Sequence, residues 1–279
     1  MKTLYISDLD GTLLDSTGRL SNTTTTLLKD IIASGIHFTC ATARTEATTS
    51  KILAEIPLSA PCILMNGVVI LDLQKNHYIK VEYLDLDFYT ALLNQLEALG
   101  LTSFIYTIED NCLNTYYDTF PNEAMHAFFK ERASLYQKRY TPVPSLKNIP
   151  KQGVIYSLLL DKKAALQPLC DWISSIAKDY PIDYIFYPEI YYDDIWCLEI
   201  FSKNASKYNA VKYLKEIYQY DKVIGFGDNL NDLSLFRACD DCYAVSNAKE
   251  TVKQAATEVI GPNTEDSVPK KILALEKIV

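Results

Sequence analysis

No run of apolar residues in this 279-residue chain is long enough to span a bilayer. The opening residues, Met1-Lys2-Thr3-Leu4-Tyr5-Ile6, reach Asp8 without the apolar stretch and small-residue cleavage site of a secretory signal, so the expected location is cytoplasmic. Glycine is sparse, with nine residues in all, and only Gly11 precedes the turn at Asp15–Gly18. The missing G-x-G-x-x-G disfavours an oxidoreductase. The seven cysteines are odd in number and scattered. One C-x-x-C exists, Cys239 to Cys242, but no second Cys or His pair lies near it, so zinc is not expected and a turn between helix and strand is the plainer reading. Basic residues are in deficit, 27 against 35 acidic ones for a net charge of -8, which argues against a general nucleic-acid binder. That acidity does not exclude a phosphate site, which needs only a few local cations, backbone amides and one metal ion.

The composition, 48% apolar and 22% charged, is that of a soluble globular protein of one or two domains. Leu4-Tyr5-Ile6 reads as a buried strand. Ser21 is placed to cap a helix carrying Leu27, Leu28, Ile31 and Ile32, with Gly35 ending it. Strands over 36–41 and 62–65 follow, separated by a helix over 46–55. Strand, helix, strand, helix, strand is the rhythm of a parallel sheet covered on both faces. A hairpin over 68–71 and 78–81 comes next. The middle of the chain then carries helices near 86–99, 121–137 and 163–179, with strands near 103–107, 154–160, 183–187 and 195–200. Pro142, Pro144 and Pro150 mark a loop within it. From Ala205 the parallel rhythm returns. The expected architecture is α/β: a Rossmann-like core of residues 1–82 and 199–279, interrupted by an inserted domain of residues 83–198.

Three segments sit where parallel strands are expected to end, which is where open α/β sheets place their ligands. The first is Asp8-Leu9-Asp10-Gly11-Thr12, the second Thr42-Ala43-Arg44, and the third Gly227-Asp228-Asn229-Leu230-Asn231-Asp232. Extended spacing of two points Asp8 and Asp10 to the same side. Two such anions repel unless a cation lies beside them. Magnesium takes oxygen ligands and bridges to phosphate, and Asp228 and Asp232 can add carboxylates from a neighbouring strand end. Either acidic segment alone also reads as a turn with capping residues. Thr42 can hold a phosphate oxygen at the start of the next helix, although a threonine there is more often an N-cap. Lys207 opens a helix, where a cation opposes the dipole; that hints at phosphate binding, while a solvated surface lysine is the ordinary reading.

The motifs at Asp8–Thr12 and Gly227–Asp232, in order with Thr42 and Lys207, resemble those of the haloacid dehalogenase superfamily, and within it the Cof-like phosphatases, over the whole layout of the chain. The resemblance implies a Rossmann-like core with a large α/β cap inserted after the third strand. It implies Asp8 as nucleophile and magnesium ligand. Asp10 would be general acid and base, with its backbone carbonyl on the metal. Thr42, Lys207 and Asn231, with the Leu9 and Ala43 amides, would bind the phosphoryl group. Asp228 would bind Mg2+, and Asp232 would orient the metal's waters. Asn66-Gly67 resembles the family's Asn-Gly-Ala segment, so Asn66 and Arg44 would face the leaving group. Ala43, Val68 and Tyr208 depart from the residues common in the family, at Gly, Ala and Gly positions respectively.

The implied activity is Mg2+-dependent hydrolysis of small phosphorylated metabolites, led by sugar phosphates, by a monomer or small homo-oligomer with no nucleic-acid or membrane partner. Substrate choice is expected in the cap. There Tyr184, Phe186, Tyr187, Tyr191 and Tyr192 can stack on a sugar, and Glu189, Asp193 and Asp194 can bond its hydroxyls. Tyrosines on strands are more often ordinary sheet packing. Two alternatives stay open: a phosphosugar mutase, distinguished by the absence of inorganic phosphate release, and a low-turnover phosphometabolite-binding protein, against which the intact Asp8 and Asp10 pair argues.

Overall fold

The computed structural model describes residues 1–189 and 192–277. In chain order its main elements are β1 (Thr3–Ser7), α1 (Asn22–Ala33), β2 (His37–Cys40), α2 (Glu46–Ile52), β3 (Cys62–Leu64), β4 (Val69–Asp72), β5 (His77–Val81), α3 (Leu86–Leu99), β6 (Phe104–Glu109), β7 (Cys112–Tyr117), α4 (Glu123–Tyr136), β8 (Tyr140–Pro142), β9 (Val154–Lys162), α5 (Lys163–Ile176), β10 (Ile182–Pro188), β11 (Ile195–Ser202), α6 (Lys207–Ile217), β12 (Lys222–Gly227), α7 (Asp232–Phe236), β13 (Asp241–Val245), α8 (Glu250–Ala255), β14 (Glu258–Ile260) and α9 (Ser267–Glu276). The chain divides into two compact units, residues 1–80 with 205–279, and residues 81–204.

The first unit is built on a five-stranded sheet in the order β14-β13-β12-β1-β2. Every pairing in it is parallel. Strand β1, paired with β12 on one side and β2 on the other, is buried from Leu4 to Ser7, as a strand covered on both faces must be. Burying leucine and isoleucine side chains such as Leu4 and Ile6 contributes about 1.5–3 kcal/mol each. An isolated parallel bridge joins Ala41 to Ile63 beside β2, and β3, β4 and β5 form a separate three-stranded sheet. Ser21 caps α1 by accepting a bond from the Thr24 amide at 2.9 Å. The hydroxyls of Ser21 and Thr24 both donate to the carboxylate of Asp266, at the head of α9. Cys239 and Cys242 flank the turn from α7 into β13, and all seven cysteines are free.

The second unit is a six-stranded sheet in the order β10-β11-β9-β6-β7-β8. Strand alternation sorts its side chains. Ile105, Leu159, Leu198 and Ile200 join α3 and α5 in one apolar cluster. Phe104, one residue out of phase with Ile105, instead stacks on Phe128 of α4 at 5.7 Å. Tyr184 and Phe186 pack with the α3 and α5 cluster, whereas Tyr187, out of phase with them, donates to Glu199 at 2.8 Å. Tyr191 lies outside the described residues. Two strands depart from the sequence expectation. β7 shows no clean apolar alternation, and β8 lies where Pro142 predicts a loop. β8 is the edge of the sheet and pairs in parallel with β7. There, a missing amide donor costs no ladder bond.

Removing the Asp266 carboxylate in Asp266→Ala deletes an acceptor shared by two helix-start hydroxyls. It should lower unfolding stability by about 1–3 kcal/mol, read from urea denaturation midpoints at constant slope.

Candidate active site

Three strand exits of the first unit converge. Asp8 leaves β1 with its amide bonded to the Phe226 carbonyl of β12 at 3.0 Å. The next five residues, Leu9–Leu13, form a wide π-type turn in which Gly11 takes φ 75°. A Cβ on Gly11 would stand 2.5 Å from Asp228 Oδ2, so only glycine lets the two loops approach. Thr12 Oγ1 donates to Asp228 Oδ1 at 2.7 Å, and Asn247 Nδ2, beyond the end of β13, holds the Gly11 carbonyl at 2.8 Å.

Lys207 crosses this junction from the first residue of α6. Its side chain is fully buried, with Nζ 2.6 Å from Asp8 Oδ1 and 2.7 Å from Asp232 Oδ1. The surface reading of this lysine is therefore overturned. Asp232 uses its other oxygen, Oδ2, to accept the Asp228 and Asn229 amides at 2.9 and 3.0 Å, so both of its oxygens are engaged. Asp8, Asp228 and Asp232 each offer a carboxylate oxygen within 4.8 Å of the others.

Asp10 does not join them. Arg44 grips it through Nε and Nη2, both at 2.6 Å, and its side chain is half exposed. The expectation that Asp8 and Asp10 share one side and one cation is corrected in this respect. The chain turns at once after β1, and separate cations take the two carboxylates. Thr42 differs too. It is buried and its Oγ1 accepts the Arg44 amide at 3.2 Å, but α2 begins at Glu46 with Thr45 in the cap position. Thr42 is therefore not a helix cap. Ala43 is exposed and Leu9 buried, both in the loops beside Asp8.

The turn after β3 ties the loops together. Met65, Asn66 and Gly67 have φ of 50°, 55° and 102°, and left-handed backbone costs a non-glycine residue about 1–2 kcal/mol. The Met65 amide donates to the Arg44 carbonyl and the Asn66 amide to the Thr42 carbonyl, at 3.1 and 2.9 Å. Asn231 Nδ2 donates to Asn66 Oδ1 at 3.1 Å. A Cβ on Gly67 would fall 2.3 Å from the Ser206 carbonyl oxygen. Ser206 is the cap of α6, immediately before Lys207. Neither the Gly67 contact nor the Asn247 bond was visible in sequence. Their only signals were the Asn66-Gly67 pair and a polar residue just beyond a strand end.

The electrostatics describe a deficit of positive charge. Burial pushes the Asp8 carboxyl up to about 8, against the pull of Lys207 and with the push of Asp232 and Asp228. Burial likewise lifts Asp228 to about 6, opposed by its bond from Thr12. Burial alone would lower Lys207, but the carboxylates of Asp8 and Asp232 hold it above the ordinary lysine value. One ammonium among three carboxylates leaves room for a divalent cation. All-oxygen donors suit a hard ion such as Mg2+. Asp8 and Asp228 are the carboxylates available to it, since Asp232 is committed to Lys207 and two amides. A parallel sheet with a carboxylate at the exit of an interior strand and a buried lysine beside it can form and break a bond to a phosphoryl group.

This is the class of the phosphate-transferring α/β hydrolases. The family model for haloacid dehalogenase-like hydrolases matches residues 5–272, and the chain belongs to that family. A Haemophilus influenzae protein named provisionally as a phosphatase is 29% identical over 275 residues, covering 95% of this chain and 93% of that one. A Thermotoga maritima structure superposes with a TM-score of 0.79 at 24% identity, covering 100% of this chain and 98% of that one. The subclass IIB sugar phosphatase BT4131 superposes with a TM-score of 0.71 at 21% identity and full coverage of both chains. The chain is a Cof-like phosphoric monoester hydrolase of this family.

Two measurements follow from the geometry. The raised Asp8 and Asp228 groups bind more protons folded than unfolded. The stability they contribute is therefore present in acid and lost as pH rises, through about 6 for Asp228 and about 8 for Asp8. Mg2+ competes with those protons, so it should raise the melting temperature of chelator-treated protein more at pH 8 than at pH 5.5. An equal or larger shift at pH 5.5 would count against metal binding by these carboxylates. Gly67→Ala should displace Ser206 and with it Lys207; a misplacement near 1 Å costs roughly a hundredfold in turnover. Steady-state phosphate release, alongside an unchanged far-ultraviolet circular dichroism spectrum, tests this.

Proposed function

We propose that this phosphatase hydrolyses sugar phosphates by way of a phospho-aspartate at Asp8, with Mg2+ as cofactor. The observation that carries the reading is the buried Lys207 ammonium held 2.6 Å from an Asp8 carboxylate at the exit of β1. An exposed carboxylate–lysine pair would need no such burial, and a purely structural pair is not expected to leave Asp8 beside two further carboxylates.

In this mechanism Asp8 Oδ attacks phosphorus as the ester bond to the leaving oxygen breaks. Asp10 supplies the proton that the departing alcohol needs. To do so it leaves the Arg44 guanidinium, which is then free to face the leaving group with Asn66. Asp10 next takes a proton from water as the water oxygen attacks the aspartyl phosphate. The Asp8 carboxylate and inorganic phosphate are released. Lys207, Thr42, Asn231 and the Leu9 and Ala43 amides hold the phosphoryl oxygens. Asp8, Asp228 and the Asp10 carbonyl would hold Mg2+, which would offset charge on the phosphoryl group. Asp232 braces Lys207 and the Asp228 loop, which fits a supporting place behind the metal ligands. Sugar phosphates lead because BT4131, which shares the fold, is named a sugar phosphatase.

The test is phosphate release from a panel of sugar phosphates, flavin mononucleotide and pyridoxal phosphate, with Mg2+ and with chelator. Release should require Mg2+, vanish in Asp8→Asn, and fall about 10²–10⁴-fold in Asp10→Asn. Undiminished release from pure Asp8→Asn would sink the assignment of the nucleophile. A sugar phosphate isomerised without release would favour phosphotransfer between positions of one sugar.

A further inference from the structure

The second unit contains a buried cation with no counter-ion. Lys138 follows α4 after Gln137, whose φ is 51°, and is only 8% exposed. Its Nζ lies 4.0 Å from the centre of the Tyr106 ring and 5.1 Å from that of Tyr140. Among the described residues it has no ion pair and no side-chain hydrogen bond. Ring faces offset part of the cost of burying an ammonium, but they carry no counter-charge.

The ring contacts place this lysine over a row of polar side chains that the strand register aligns. Tyr156 pairs with Tyr106, Tyr106 with Thr115, and Thr115 with Tyr140, so all four share one face of the sheet. It is the face opposite the apolar cluster that contains Ile105. Thr115 Oγ1 and the Tyr140 hydroxyl are buried without partners among the described residues. Two unsatisfied hydroxyls on neighbouring strands, beside a lysine with no ion pair, are unusual in a folded interior. The charges acting on Lys138 add to the case. Burial drives its amine well below the ordinary value and Arg132 pushes it further, with no carboxylate opposing either. Glu199, on the same face, is engaged by Tyr187 and Tyr156.

We propose that Lys138, Thr115 and Tyr140 form a binding site within the second unit for a small oxyanion, a carboxylate or phosphate group. The anion supplies the missing counter-charge and accepts from the ammonium and the two hydroxyls. This site is separate from Lys207 in residues and in structural unit, and it stands whether or not Asp8 is the nucleophile.

The experiment uses the full-length protein with ¹³C-labelled lysine. The Cε–Hε signal of Lys138 is identified by its loss in Lys138→Met, or in Lys138→Arg should the first variant fail to fold. Sodium phosphate and sodium malonate are titrated in, against sodium chloride at matched ionic strength. The Lys138 signal should shift saturably with phosphate or malonate, and whichever salt acts identifies the oxyanion. The amine's titration midpoint should rise by at least one pH unit at saturation, and Thr115→Val should weaken the response several-fold. A Lys138 signal that responds no more to either salt than to chloride, or that responds equally in Thr115→Val, overturns the proposal.

Discussion

A single buried ammonium organises the first unit. Lys207 Nζ touches Asp8, at the end of β1, and Asp232, at the head of α7, while its own backbone begins α6. Three elements distant in sequence are thereby held at one point. None of the three groups can leave without exposing a buried charge, and breaking a buried pair by removing one partner typically costs about 3–5 kcal/mol. The same arrangement has one positive charge too few. Burial and the neighbouring carboxylates lift Asp8 and Asp228 against the pull of the lysine, and the site that holds the fold together has room for a cation.

Steric permission does the rest. Side chains on Gly11 and Gly67 would collide with Asp228 and with the backbone before Lys207. The cluster is therefore as much a consequence of missing Cβ atoms as of charges. The left-handed turn at Met65–Gly67 transmits this constraint to Thr42, Arg44 and Asn231 through backbone and amide bonds. Strain held in such a turn is tolerated when the surroundings over-determine it, and here three loops do so.

Much of this was legible before the structure. The parallel sheet follows from apolar runs separated by amphipathic helices, and the segments at Asp8, Thr42 and Gly227 announce themselves as polar strings at strand ends. The grouping of Asp8, Asp228 and Asp232 followed from the same reasoning. Lys207 was harder, because a lysine opening a helix looks the same in sequence whether it faces water or a carboxylate. The separate fate of Asp10 depends on a tight turn and on an arginine 34 residues away, and nothing in the local spacing reports it. In the second unit, β7 and β8 escaped because one lacks alternation and the other contains Pro142. The unpartnered state of Lys138 arises only when four strands are brought into register.

The contact between Lys207 and Asp8 spans 199 residues of sequence. All of residues 81–204, which form a compact unit of their own, lie between. During synthesis at about 5–20 residues per second, Asp8 therefore waits roughly 10–40 s for its lysine to emerge. Through that interval β1 has no β12 beside it. A chain cut short before α6 carries Asp8 but lacks Lys207, Asp228 and Asp232, and a ribosome that stalls midway releases a polypeptide without the assembled site.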